Sequence, residues 1–448
     1  MSRPTPLSGF PELLPAQRAA EVAVIESLRR AFELHGFAGI ETRVVEPLDR
    51  LVKGAEIDKE VYVLRRLQAD DDAADSGLGM HYDLTVPFAR YVLENAGKLD
   101  FPFRRYQIQK AWRGERPQEG RYREFTQADI DVVAKDILPF HYDLEVARVM
   151  AAALAGLPLP PMRLQVNNRK VIEGFYRGVG LDDPAAVMRV VDKLDKVPPE
   201  IVRSMLIDGP GLNEAQADAC LRLAQIVEAD TSFVTKVREL GVQHELLDTG
   251  LDELSAVIEG CADLHSDRFV VEANLRIARG LDYYTGTVFE IFMTGFESLG
   301  SVGGGGRYDA LATDGSTTYP GVGISFGISR TLVPLFNRGE LTGSRSTPSV
   351  VLVALAADDS RQASDAIADD LRARGIAAEV AASAQKYGRQ IRGAERRGIP
   401  FVWFPPTEEA GHQVKDIRSG EQVDADPAHW NPPLEDLRPQ AISKEQSS

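Results

Sequence analysis

Arg279-Gly280-Leu281-Asp282-Tyr283-Tyr284-Thr285-Gly286, with the strand-like run Thr287 to Met293 behind it, sets the reading of this chain. The first eight residues hold a cation, a carboxylate, two phenols and two glycines. Two further glycine-rich runs follow: Gly303-Gly304-Gly305-Gly306-Arg307-Tyr308, and Gly321-Val322-Gly323-Ile324-Ser325-Phe326-Gly327-Ile328-Ser329-Arg330. Arginines among glycines and hydroxyls, on predicted strands, suit phosphates held beside a small polar ligand. Four consecutive glycines, 303 to 306, read first as a flexible turn between two strands. Their place beside Arg279 favours close approach of a ligand to the backbone. At Gly327 the period changes: Ile328, Leu332, Leu335 and Phe336 predict a helix.

Working outward, Ile25, Leu28 and Phe32 mark an amphipathic helix over 16–35. A short strand is expected over 39–44, and the aspartate-rich 69–75 reads as a mobile surface loop. His81 to Val86 is expected to be a strand leading into a helix from Pro87. Phe103 to Trp112 and Glu124 to Val133 are expected to be two strands, with a helix over 141–155 behind them. Residues 164 to 275 turn rich in Leu, Ala, Asp and Val and read as an inserted helical module. After a linker at 339–348, strands at 350–355, 377–380 and 401–404 alternate with helices at 360–374 and 384–397. That pattern predicts a small parallel α/β domain. The tail from Asn431 is expected to be disordered.

The chain has 448 residues and a formal net charge of −16, so a polyanion partner must be held by local basic patches. The two cysteines, Cys220 and Cys261, have no metal-ligand spacing and suit a reducing cytoplasm. No run of about 20 apolar residues suits a bilayer.

One such patch is 101–123, where Arg104, Arg105, Lys110, Arg113, Arg116, Arg121 and Arg123 outnumber Glu115 and Glu119. A solvated hairpin face is the plain reading. Arginines alternating with Tyr106, Trp112 and Tyr122 favour phosphate and nucleic-acid binding instead. A second patch has Arg389, Arg392 and Arg396 at i, i+3, i+7, flanked by Lys386 and Arg397. It reads as a solvated helix or as a docking face for a nucleic-acid backbone. Asp83 and Thr85 are expected on one strand face, and Gln127, Asp129 and Asp131 on another. Such groups suit an ammonium and a cationic or donor side chain, or plain surface polarity.

In this order the motifs resemble the histidyl-tRNA synthetases, a family of class II aminoacyl-tRNA synthetases, over essentially the whole chain. Tyr82 to Arg90 is similar to the amino-acid-binding strand. Trp112 to Gln118 with Gly120 to Gln127 resembles motif 2. Arg279 to Phe289 and Gly304 to Asp309 resemble the two histidine signatures, and Gly321 to Arg330 resembles motif 3. The resemblance implies a multi-domain α+β protein. It would have an antiparallel catalytic sheet in two parts (1–163 and 273–340), a helical insertion (164–272), an α/β anticodon-binding domain (348–430) and a tail (431–448).

It further implies that histidine is activated with ATP to histidyl-adenylate and pyrophosphate and then passed to the 3′ end of tRNA(His). Arg113 and Arg279 would be catalytic. Arg113, Glu115, Arg121 and Arg330 would bind ATP. Asp83, Thr85, Arg113, Gln127, Asp131, Arg279, Tyr283 and Tyr284 would bind histidine. Gln118, Arg389, Arg392 and Arg396 would meet tRNA. Mg²⁺ would accompany ATP without a dedicated protein metal site. A cytoplasmic homodimer is implied, with no membrane association. Many relatives have Glu at the positions of Asp83, Asp131 and Ser329 and a basic residue near Gly9-Phe10-Pro11-Glu12. A second reading is the non-catalytic paralogue that partners an ATP phosphoribosyltransferase, which generally lacks the terminal domain.

Overall fold

A computed structural model describes residues 4–51, 60–66, 77–277 and 284–444. The chain divides into two compact units, Met1–Pro11 with Ser27–Pro334 and Glu12–Glu26 with Leu335–Ser448. Among the described residues no helix is long and apolar enough to cross a membrane.

The first unit is built on a nine-stranded sheet. In chain order its strands are β1 (Ala38–Gly39), β5 (Phe103–Trp112), β6 (Glu124–Val133), β7 (Met162–Asn168), β8 (Val227–Glu228), β9 (Phe269–Asn274), β10 (Thr287–Met293), β11 (Gly303–Thr313) and β12 (Thr318–Gly327). A small separate sheet joins β2 (Val45–Pro47), β3 (Val63–Leu64) and β4 (Leu78–Met80). In space the large sheet runs β1-β5-β6-β12-β11-β10-β7-β9-β8. From β5 to β7 every neighbour is antiparallel; only β1 on β5 and β9 on β7 are parallel.

Alternation splits each central strand between two faces. Ile130, Val132, Val322, Ile324, Phe326, Phe289 and Ile291 take one parity and are buried. The helix His141–Ala155 packs on β6, β7, β9 and β12 and buries Val146, Met150 and Leu154. The opposite parity carries the polar residues and glycines. Part of that face is covered by the helix Thr85–Asn95, whose Phe88, Ala89 and Val92 cluster with Val133, Tyr308, Ala312 and Tyr319. The rest stays open as a cavity.

Several expectations are corrected. Residues 81–84 form a turn, and the helix begins at Thr85, so Asp83 and Thr85 share no strand face. The physical reason is local: the Asp83 carboxylate accepts from Val86 N at 3.1 Å and fastens the helix start. Gly303 to Gly306 are paired strand residues within β11. The stretch 164–275 is mainly helical, from Arg169–Gly178 to Glu245–Gly260, yet β7 and β9 at its ends belong to the large sheet. The aspartate-rich loop at 69–75 lies outside the described residues.

The second unit holds a five-stranded sheet of β14 (Val351–Val353), β15 (Ala378–Val380), β16 (Phe401–Phe404), β17 (Gln413–Asp416) and β18 (Gln422–Asp424), in the order β15-β14-β16-β17-β18. The first three are parallel, as read; β17 and β18 add an antiparallel edge that the sequence did not suggest. Residues 431–444 are ordered, against expectation. Ala441–Ser443 pairs as β19 with β13 (Leu341–Gly343), and Asp436 holds Arg418 at 2.8 Å.

Candidate active site

Cross-strand register assembles the polar face row by row. Arg105 on β5 stands opposite Asp131 on β6, which stands opposite Gly323 on β12, then Gly306 on β11 and Val288 on β10. One row along are Gln107, Asp129, Ser325, Gly304 and Glu290. Gln127 opens the third row beside Gly327. The glycines form a floor because neighbours lie over them. A Cβ on Gly323 would sit 2.1 Å from Asp131 Oδ1, and one on Gly306 would sit 2.9 Å from the Tyr284 ring. Asp131 and Tyr284 therefore lie side by side over adjacent glycines.

The cavity above this floor has a volume of about 440 Å³. Asp83, Thr85, Arg113, Glu115, Arg121, Gln127, Asp131, Tyr284 and Arg330 all line it. These residues come from six separate segments of sequence, so the fold brings them together. Gln118 is exposed in the β5–β6 loop and is not part of the wall. Arg279 and Tyr283 lie outside the described residues. Arg389 and Arg392 are exposed on the helix Tyr387–Glu395, with Arg396 exposed just past its end.

The β5–β6 loop sets up one wall. Arg113 donates from Nε to Tyr82 O at 3.0 Å and stacks over Phe125 with 5.1 Å to the ring centre. Arg121 pairs with Glu115 at 3.2 Å. Across the cavity, Arg330 donates to Leu299 O at 2.6 Å. Ser329, where many relatives of the resembled family carry Glu, is buried and accepts from Thr126 N at 2.9 Å. It ties the start of the helix Ile328–Arg338 to β6.

Sequence reading missed the interior of the hairpin. Arg105 was counted in a surface patch, yet it is fully buried. Its guanidinium lies 2.6 Å from Asp131, 3.9 Å from Asp129 and 4.3 Å from the centre of the Phe88 ring. The Tyr308 hydroxyl donates to Asp131 Oδ1 at 3.0 Å. Gln127 donates to Ser325 Oγ at 2.6 Å. Counting the hairpin register from the strand ends would have placed Arg105 opposite Asp131; the charge count hid it.

Burial dominates the electrostatics. It pushes the Asp129 carboxyl up to about 7, with Arg105 opposing and Asp131 adding to the rise. It pushes Asp131 up to about 6, opposed by Arg105 and Tyr308. Asp83 is raised for the same reason, and Arg113 counters it. A cluster of buried acids under a rim of arginines can seat a cationic small molecule beside a polyphosphate.

Comparison with known proteins assigns this sheet and its cleft to the catalytic core of an aminoacyl-tRNA synthetase. The model of the histidyl-tRNA synthetase family matches residues 9–331, and the model of an anticodon-binding domain matches 349–428. The chain is 56% identical to the histidine–tRNA ligase of Cutibacterium acnes, covering 99% of each. It is likewise 56% identical to that of Micrococcus luteus, covering 98% of this chain and 99% of the relative. A crystal structure of histidyl-tRNA synthetase from Nostoc sp. PCC 7120 superposes with a TM-score of 0.83 at 32% identity, over 94% of this chain and 96% of that one. The chain belongs to the histidyl-tRNA synthetase family. A structure from Bacillus halodurans, described as an ATP phosphoribosyltransferase regulatory subunit/histidyl-tRNA synthetase, has a TM-score of 0.69 at 20% identity and shares the fold alone.

Proposed function

We propose that this protein activates L-histidine with ATP, forming histidyl-adenylate and pyrophosphate, and then esterifies histidine to the 3′ end of tRNA(His). The single observation that carries this is the cavity itself, where Arg113 and Arg330 line the same space as Asp131 and Tyr284. The histidine carboxylate attacks the α-phosphorus of ATP in line, and pyrophosphate leaves. Arg113 holds the α-phosphate, and Arg330 holds the phosphate tail. Glu115 and Arg121 complete the nucleotide pocket. Positioning and fixed charge supply most of the rate.

Asp83, Thr85 and Gln127 receive the α-ammonium. Asp131, oriented by Arg105 and Tyr308, faces the imidazole with Tyr284. A site with so many buried polar groups rejects ligands that leave them unpaired. By resemblance alone, Arg279 is the cation at the reacting phosphate and Tyr283 flanks the imidazole. Among the described residues no cluster of His, Cys, Asp or Glu could hold a metal. Mg²⁺ is assigned to the ATP phosphates by the family resemblance, which suits an ion that keeps waters and few protein ligands. Gln118 meets the tRNA acceptor end, and Arg389, Arg392 and Arg396 meet the anticodon stem. The division is assigned as core (1–163, 273–340), helical insertion (164–272) and terminal domain (348–430), in a cytoplasmic homodimer.

The test is pyrophosphate exchange into ATP, expected with histidine and with no other amino acid. Exchange driven by a different amino acid overturns the reading. Arg279→Ala is expected to lower the activation rate by at least ~10²-fold, and unchanged turnover removes Arg279 from the mechanism.

A further inference from the structure

Two acceptor atoms in the cavity have no donor. Oε1 of Gln127 and Oδ1 of Asp129 are buried, and neither receives a hydrogen bond among the described residues. They belong to alternate residues of β6, so both point from one face of the sheet, about 7 Å apart along the strand. The remainder of each side chain is committed. Gln127 donates to Ser325 Oγ, and the Ser325 hydroxyl in turn serves the Asp129 carboxylate.

The charges around Asp129 do not balance. From β5 only Arg105 faces it, at 3.9 Å, and that guanidinium is engaged more closely by Asp131 at 2.6 Å. From β6 comes Asp131, and from the turn before Thr85 comes Asp83, both acidic. From β12 comes Ser325 and from β11 the neutral phenol Tyr308. Arg113 faces Asp83. Among the described residues that face one another here, three carboxylates thus share two guanidiniums. A ligand that fits must bring several N–H donors and one positive charge, and an ammonium has both.

We propose that Asp129, paired with Gln127, receives the substrate's ammonium group and is a substrate-binding, specificity-determining residue of this site. The proposal rests on the histidine-activating reading above and deepens it. Buried acceptors left without donors are costly, so the pair selects for the amine. In the empty site Asp129 holds a proton over part of the neutral range, because burial lifts it to about 7. Seating an ammonium expels that proton.

The variant Asp129→Asn keeps the shape and the partner Ser325 and removes the charge. Equilibrium binding to the full-length protein is measured with histidine, with histidinol (amine, no carboxylate) and with imidazolepropionate (carboxylate, no amine). The expected result is a roughly ten- to hundredfold loss for histidine and histidinol, the worth of a hydrogen bond to a charged group. Imidazolepropionate affinity and the KM for ATP stay unchanged. Unaltered histidinol affinity overturns the proposal, and so does an equal loss for both analogues, which marks a structural role. A second measurement needs no variant. Calorimetry of the native protein below about pH 7, in buffers of different protonation enthalpy, is expected to show more proton release with histidinol than with imidazolepropionate. Equal release overturns it. Failure of the histidine reading looks different: the native protein then exchanges pyrophosphate with another amino acid, and the Asp129→Asn arm is read with that amine.

Discussion

The β5–β6 hairpin and the helix Tyr387–Glu395 carry similar crowds of cations and use them in opposite ways. In the hairpin, Arg105 is sunk beneath Phe88 against Asp131, and Arg104 pairs with Glu145 at 2.8 Å. Lys110 pairs with Glu124 at 2.5 Å, and Arg121 with Glu115 at 3.2 Å. On the terminal helix, Arg389 and Arg392 are exposed and have no ion pair among the described residues. The hairpin's cations meet carboxylates placed by the strands, by the loop or by the helix His141–Ala155 packed behind them. On the helix the acid three residues past Arg392, Glu395, makes no bridge with it. Net charge over a segment therefore says little about what the segment binds. Desolvated cations organise a cavity; hydrated ones remain available to a polyanion.

The largest effect is expected at the buried end of this contrast. Arg105→Ala removes the guanidinium that Asp131 and Asp129 share and leaves two buried acids facing each other. The expected cost is about 3–5 kcal/mol in denaturant unfolding at neutral pH, with histidine-dependent exchange lost. An equally stable Arg105→Ala protein would erase the distinction between the two regions. Gly323→Ala comes next. Its Cβ would stand 2.1 Å from Asp131 Oδ1 and 2.6 Å from Ile130 O, so the carboxylate must move. A shift near 1 Å at the imidazole site is expected to raise the histidine KM by about 10²-fold. The matched change on the other region is Gly388→Ala, where a Cβ meets nothing within 4 Å. Exchange kinetics are expected to stay the same there, with stability rising by up to ~1 kcal/mol from helix propensity.

Titration separates the regions further. The Asp129 and Asp131 carboxyls are raised by burial to about 7 and about 6, above their ordinary carboxylate range. The folded state therefore binds protons that the unfolded chain has already released. Between about pH 4 and pH 7 stability falls as pH rises, and above the folded values the loss is complete. Scanning calorimetry of the ligand-free protein is expected to show this slope in the first unit, and Asp129→Asn is expected to flatten it. Added histidine is expected to offset the loss at the upper end, where the acids are charged and ready for a cation. An unchanged slope in Asp129→Asn would mean that this acid is paired more fully than its surroundings suggest.

How much of this was legible beforehand follows from the range of the interactions. The hairpin strands and β10 were readable because alternation and bounding glycines are local signals. The first three strands of the terminal sheet were readable for the same reason. The antiparallel edge β17–β18 was not, since three- and four-residue strands rich in Gln, Lys and Asp carry little pattern. Asp83 was misplaced onto a strand because a capping carboxylate and a strand carboxylate look alike until the hydrogen bond to Val86 is known. The cavity acids were named from their strand parity and from family resemblance. Arg105, Tyr308 and Ser325 were not, because their meaning lies in register across three strands. The four glycines were weighed as a turn and as a place where a ligand approaches the backbone, and each pairs in the sheet. Their purpose appears only once Tyr284 and Asp131 are seen above Gly306 and Gly323.

The smallest effect belongs to the exposed helix, and it tests the other half of the contrast. If Arg389 and Arg392 are hydrated cations awaiting a phosphate backbone, each should act as one counterion-releasing contact. Arg389→Ala and Arg392→Ala are each expected to weaken tRNA binding only a few-fold at moderate salt. The slope of log affinity against log salt should fall by about 0.7–0.9 per residue removed. Pyrophosphate exchange without tRNA should not change, because neither residue lines the cavity. Arg397 supplies the internal control: it sits beside them in sequence but is bound to Glu379. Its replacement is expected to leave the salt slope alone and to show instead as a small loss of stability. A salt slope that responds to Arg397→Ala and ignores Arg389→Ala would reverse the assignment of which cations on this helix are free to meet a partner.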